Sequence, residues 1–267
     1  MTPAMDELER IEIEAWRDYC AAAPPPFAAA VGLETAELGG PLLALCRRID
    51  HYQFNRLIGG GLGSDAEGKS LDVAAARFRD AGLRNGYLQI APGPRADALE
   101  GKARGLGLKR LKRVWVKFSR PAIAAPAPST ALDVAEARPE DGMDFARAVV
   151  AGFGMPDTLA PWLAAIVGRT GWHAYVARDG GRIVGGAAMF VSGDLAWLGI
   201  GAVQPSARRK GGQSALLARR ITDGLRLGVR RFATETGKPL PGEPHPSFSN
   251  IQRAGFVIAY ERANWTL

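Results

Sequence analysis

The chain has 267 residues, 47 % apolar and 23 % charged, which suits one large domain or two ordinary ones and excludes a disordered chain. Its formal net charge of +7, from 34 basic and 27 acidic residues, favours anionic partners without choosing among nucleic acid, a membrane surface and a phosphorylated cofactor. Cys20 and Cys46 form no CxxC pair and His51, His173 and His245 are scattered, so neither a disulfide scaffold nor a metal site is expected.

Residues 1–14 carry Asp6, Glu7, Glu9, Glu12 and Glu14 and lack the basic start of a secretory leader, so a cytoplasmic location is expected. Leu8, Ile11, Ala15 and Tyr19 recur at helical spacing and predict a helix over 7–22, ended by Pro24, Pro25 and Pro26. Residues 42–46 read as a strand. Residues 59–63, with Gly59, Gly60, Gly61 and Gly63, read as a flexible loop with no apolar strand leading into it. A helix over 71–81, a strand over 86–91, a helix over 95–105 and a strand over 109–118 follow. Eight basic residues within 102–120 admit two readings: a nucleic-acid patch, or an edge strand guarded by its charges. Aromatic interleaving is thin there, with only Trp115 and Phe118, and nucleic acid is not expected as a partner.

The Pro- and Ala-rich segment 119–130 predicts a semi-stiff spacer. It divides the chain into an accessory α/β domain over 1–119, a linker over 120–130 and a second α/β domain over 131–267. In the latter, strands are expected at 132–137, 172–177, 183–191, 195–203, 230–236 and 256–265, with helices at 143–153, 159–167, 214–227 and 247–254. Arg178-Asp179-Gly180-Gly181 marks a hairpin. The order helix, strand, helix, Gly-Leu, strand over 71–118 is echoed by helix, strand, helix, Gly-Phe, strand over 214–265. The halves are thus either tandem copies of one fold or two unrelated α/β units.

Arg208-Arg209-Lys210-Gly211-Gly212-Gln213 joins the 195–203 strand to the amphipathic 214–227 helix. The first amides of a helix lack internal partners, and glycines let a ligand approach them. With the helix dipole and three basic side chains, such a turn seats phosphate oxygens. It contains neither GxGxxG nor GKS/GKT, so a dinucleotide fold and a nucleotide triphosphatase are unsupported.

Val203-x-Pro205-x-x-Arg208-x-x-Gly211-x-Gln213, followed by Ser214-Ala215-Leu216-Leu217, resembles the central motif of the GCN5-related N-acetyltransferases. That motif is Arg or Gln, two residues, Gly, one residue, then Gly or Ala, and Gln213 departs from it at the last position. Ser247-x-x-Asn250-x-x-Arg253-Ala254-Gly255-Phe256 resembles the same family's last helix and its Gly-Phe junction. The resemblance covers most of 132–267. It implies the acyl-CoA N-acyltransferase fold: α/β, with a mixed, largely antiparallel central sheet flanked by helices. The N-terminal half would be a degenerate second copy, without a basic glycine turn at the matching place, that packs on the active half and covers the substrate cleft.

By the same resemblance, Ala202 and Val203 would hold the pantetheine of acetyl-CoA. Arg208, Arg209, Lys210, Gly211, Gly212, Gln213 and Ser214 would hold its pyrophosphate, and Asn250 could bond to the cofactor. The reaction implied is transfer of an acetyl or other short acyl group to an amine by direct attack on the thioester. Ile251 stands where members often have an acidic tyrosine. Tyr260 is a substitute acid if it points into the cleft, and Glu235 is either the base or a surface residue. His173 reads as structural, and His245 lies in a loop that could border the entrance. The acceptor is a small-molecule amine or a peptide amine, a homodimer is compatible, and no membrane partner is expected. A non-catalytic acyl-CoA-binding module is the alternative.

Overall fold

The computed structural model describes residues 5–65 and 67–267. The first helix, α1 (Met5–Ala21), buries the predicted apolar stripe of Leu8, Ile11, Ala15 and Tyr19, and with it two carboxylates, Glu9 and Glu12. The prolines that end α1 also begin α2 (Pro25–Val31); a first helical turn needs no amide from a residue that lacks one. There follow β1 (Leu33–Glu37), β2 (Leu42–Cys46), β3 (Arg56–Gly60), α3 (Lys69–Asp80), β4 (Tyr87–Ile90), α4 (Ala96–Gly105), β5 (Lys109–Arg110) and β6 (Trp115–Pro121). The second half comprises β7 (Asp133–Glu136), α5 (Gly142–Phe153), α6 (Ala160–Ala164), β8 (Trp172–Asp179), β9 (Arg182–Ser192), β10 (Leu195–Trp197), β11 (Gly201–Val203), α7 (Gly212–Arg226), β12 (Arg231–Gly237), α8 (Pro246–Arg253) and β13 (Val257–Thr266). Among the described residues no helix is long and apolar enough to cross a membrane.

Several expected elements change, among them the 195–203 strand, which is the pair β10 and β11. A strand, β3, does lead into the glycine-rich segment at 59–63 and includes Gly59 and Gly60; its buried Arg56 disguised it as polar sequence. The predicted 109–118 strand is two strands, β5 and β6, and β6 is an interior strand. Lys117 and Arg120 are buried in it, so those charges neither guard an edge nor join a surface patch. The 178–181 hairpin forms as read, with Gly180 and Gly181 both at positive φ between β8 and β9.

The strands run in one sheet, β1-β2-β3-β4-β13-β6-β12-β10-β9-β8-β7, with β11 on β9 and β5 on β13. Pairing is antiparallel except for β3–β4 and β10–β12. Each parallel pair is bridged by a helix, α3 in the first half and α7 in the second, because a parallel connection must cross over the sheet. The halves therefore repeat one plan.

They also exchange strands. β6, from the first half, lies between β12 and β13. β13, from the second half, pairs with β4 and β5 of the first. Arg120 and Pro121 of the expected spacer belong to β6. Beyond them the Arg120 guanidinium donates to the carbonyls of Ile123, Ala124 and Ala254, fixing the chain as it leaves the sheet. Helix α1 packs across both halves, touching β1, β2 and β3 on one side and β9, β10 and β12 on the other.

Candidate functional site

The second half's sheet splits after Trp197. β10 pairs with β12, whereas β11 pairs only with β9, so a gap opens between β11 and β12. Ile200 and Gln204 bond to β9 through Ala188 and Val184. By the alternation of an antiparallel ladder, the main chain of Ala202 also faces β9, and that of Gly201 and Val203 faces the gap. Carbonyls released by the split must find other partners. Thr234 Oγ1 donates to Leu198 O at 2.7 Å, Arg220 Nη1 to Gly199 O at 3.0 Å, Gln213 Nε2 to Gly201 O at 3.0 Å and Arg208 Nε to Val203 O at 3.4 Å. Arg220 is fully buried, which pulls its guanidinium down to about 10, and it serves as a strut. Four side chains thus hold the gap open.

At one end of the gap lies the basic turn. Gly211, in the left-handed region at φ 78°, is the N-cap of α7, and no side chain caps that helix. The first-turn amides of Gly212, Gln213 and Ser214 open on a groove lined also by Ala202, Val203, Arg208, Arg209, Asn250 and Arg253. Lys210 turns away to Asp179, 2.5 Å distant, and is not in the groove wall. Arg208 also donates to Gly152 O at 3.0 Å, so its side chain ties the turn to α5.

The groove opens into a chamber of about 270 Å³. Phe153, Gly201, Gln213, Ser247 and Asn250 border both. Beyond them the walls come from both halves: Trp16 and Tyr19 of α1, Phe54 and Arg56 of the first half, Trp115 of β6, and Trp197, Thr234 and Glu235 of the second. Glu235 accepts from Trp197 Nε1 and from Lys117 Nζ at 3.1 Å. Tyr260 lines neither cavity. Its hydroxyl donates to Glu9 Oε1 at 2.7 Å, and burial followed by the Glu9 charge raises it far above an ordinary phenol. His245 starts α8, bonded to Arg113 and Glu243, and His173 faces Glu136; both stand outside the two cavities.

Under the chamber floor is a buried ionic cluster. Glu12 meets Arg56 at 2.9 Å, Arg262 at 2.6 Å and Lys117. Glu9 meets Arg262 at 2.9 Å, and Lys117 continues to Glu235. Three carboxylates thus balance three cations drawn from α1, β3, β6, β12 and β13. Sequence reading missed the cluster. Its one visible sign is Glu9 and Glu12 on the apolar face of a predicted helix.

The first half has the corresponding turn, between β3 and α3, and fills it differently. Asp65, 5 % exposed, accepts from Ser70 N at 2.9 Å, Gly61 N at 3.0 Å and Ser70 Oγ. A carboxylate of the chain itself occupies the anion position at that helix start. Asp65→Ala should therefore cost about 1–3 kcal/mol by stranding buried donors, read as a lower denaturation midpoint. An unchanged midpoint would mean that the carboxylate is not the turn's anion.

No family model and no curated protein matches this sequence. Solved structures do. A GCN5-related N-acetyltransferase from Kribbella flavida aligns with 97 % of this chain and 95 % of its own at 14 % identity, with a TM-score of 0.62. Another from Sphaerobacter thermophilus aligns with 85 % of this chain and 79 % of its own at 17 % identity, TM-score 0.60. A tandem protein of this kind from the clavulanic acid biosynthesis pathway aligns with 100 % of this chain and 89 % of its own at 18 % identity, TM-score 0.57. At such identities the likeness is one of architecture, and it runs through both halves. The chain has the GCN5-related N-acetyltransferase fold, a mixed, largely antiparallel sheet flanked by helices.

Proposed function

We propose that the chain binds an acyl-coenzyme A, such as acetyl-CoA, in the groove and transfers the acyl group to an amine held in the chamber. The observation that carries this reading is the contrast between the two equivalent turns. The α3 turn is filled by Asp65, while the α7 turn, with uncapped amides beside Arg209 and Arg253, is left open toward the groove. A pyrophosphate supplies what Asp65 supplies in the other half. The gap-facing amides of Gly201 and Val203, whose carbonyls are already bonded, would then hold pantetheine, with Asn250 beside it, and the thioester would reach Glu235.

Acyl-CoA brings an activated carbonyl. In the chamber, the amine nitrogen bonds to that carbon, the carbon–sulfur bond breaks, and the proton that the nitrogen sheds as the amide forms passes to the departing sulfur, so that coenzyme A leaves as a thiol. Glu235, oriented by Trp197 and Lys117, takes a proton from the incoming ammonium, directly or through water. Tyr260 has no part in this, since its hydroxyl is spent on Glu9. A second reading, a non-catalytic acyl-CoA-binding module, draws on Gln213, whose amide lies across the mouth between groove and chamber.

Acetyl-CoA at 100 times its Kd should stabilise the fold by about 2.7 kcal/mol, seen as a raised denaturation midpoint, with one equivalent bound per chain by calorimetry. Absence of any shift at millimolar acetyl-CoA would reject both readings. Glu235→Gln should keep that shift while lowering amine-dependent thiol release about 10²- to 10⁴-fold. Thiol release at the level of the no-amine blank across a broad amine panel would leave only the binding module.

A further inference from the structure

Resting on the transferase reading, we infer that the acceptor bears a carboxylate as well as its amine, as an amino acid with an apolar side chain does, and that Trp16 and Arg56 receive that carboxylate. The chamber wall supplied by the first half holds donors without acceptors. Arg56 is 1 % exposed and lies between the rings of Trp16 and Trp115, at 4.8 and 5.1 Å. Its Nη2 is satisfied by Glu12 and Gln89, but its Nε has no partner. Trp16, 7 % exposed and on the same wall, has its Nε1 buried and equally unpartnered. Unmatched buried donors are rare in folded proteins, and two on one cavity wall mark a place for an acceptor-only group. Both atoms are closed off from the chamber in the unliganded chain; a turn of the Trp16 ring would bring its Nε1 to a carboxylate against that wall while Arg56 keeps its bonds to Glu12 and Gln89 and supplies its charge.

The opposite requirement is met by Glu235, the one carboxylate in the chamber wall among the described residues. It lies on β12 beside the gap, where an ammonium must be deprotonated before attack. The lining also includes Phe54, Leu163 and Trp115, side chains that would hold an apolar substituent.

The charge balance selects further. The cluster under the chamber is neutral, with Glu9, Glu12 and Glu235 against Arg56, Lys117 and Arg262. A zwitterion adds one charge of each sign and leaves it neutral. A polyamine or an aminoglycoside would add uncompensated positive charge to a buried site.

The test uses matched pairs at saturating acetyl-CoA: L-phenylalanine against 2-phenylethylamine, and L-leucine against isoamylamine, with spermidine as the polycation. Thiol release is the readout. Each amino acid should exceed its decarboxylated partner by about tenfold or more in kcat/KM, the worth of a hydrogen bond to a charged group. Trp16→Phe, which keeps the ring and removes the donor, should narrow that ratio several-fold through the KM of the amino acid, with the acetyl-CoA-induced stabilisation retained as the check that fold and groove are intact. Equal or reversed preference in both pairs, preference for spermidine, or a ratio indifferent to Trp16→Phe would overturn the inference. So would turnover of none of these amines by a chain that acetyl-CoA still stabilises. Failure of acetyl-CoA to stabilise the chain would instead remove the transferase reading beneath it.

Discussion

Glu12→Ala should be the most destabilising single change in the α1 interface, costing about 3–5 kcal/mol, because it takes a counter-charge from three buried cations and leaves one of them with none. Arg56, Lys117 and Arg262 all converge on this carboxylate, and all are essentially without solvent. Glu9 and Glu235 remain as counter-charges, but only for Arg262 and Lys117, so Arg56 loses its one ionic partner. For a chain of this size the midpoint should fall by about 10 °C, and thermal denaturation would show it. A loss within about 1 kcal/mol would mean that water enters the cluster and screens it.

The same residue sets an acid limit. Burial alone would raise the Glu12 carboxyl, but the combined charges of Arg262, Lys117 and Arg56 reverse that and hold it well below its ordinary 4.5. A carboxylate depressed on folding contributes stability that is fully present above the unfolded value and lost as pH falls toward the folded one. The wild type should therefore weaken steadily below about pH 4.5, with Glu12→Gln flatter over the same range. Parallel acid profiles for the two proteins would contradict this.

Gly211→Asp should abolish the acetyl-CoA-induced stabilisation, with affinity reduced about 100-fold or more. The dihedral is not the main obstacle, since aspartate tolerates the left-handed region better than most residues. The obstacle is space: a Cβ at 211 would lie 2.0 Å from Ser129 O, so the turn or the 129–130 segment must move. Thr130 Oγ1 donates to Lys210 O at 2.7 Å, so that segment buttresses the turn from behind. A shifted turn no longer aims its first-turn amides at the anion seat, and the added negative charge beside them opposes a phosphate further. Arg253→Ala, a change on the groove wall, should cost only about tenfold and leave the unliganded midpoint unchanged. Full affinity in Gly211→Asp would displace the pyrophosphate from this turn.

Residues that act through their neighbours in sequence could be read directly. The stripe of α1, the Gly180-Gly181 hairpin and the glycine N-cap of α7 rest on periodicity and local dihedrals, which a stretch of ten or so residues carries within itself. The echo between the halves was legible too, because each crossover helix brings its own pattern. The β3 strand was not, because Arg56 is buried by partners 33 and 44 residues away, Gln89 and Glu12.

Sequence alone determined the basic glycine turn at the start of a helix and carried an echo between the halves, both products of short-range chemistry. Only the tertiary structure decided the exchange of β6 and β13, since a ladder's partner is chosen by long-range packing and not by the strand itself. That exchange brings Lys117 to Glu235 and Tyr260 to Glu9. It turns one candidate catalytic group toward the chamber and the other toward α1, a distinction that rests on contacts 118 and 251 residues apart.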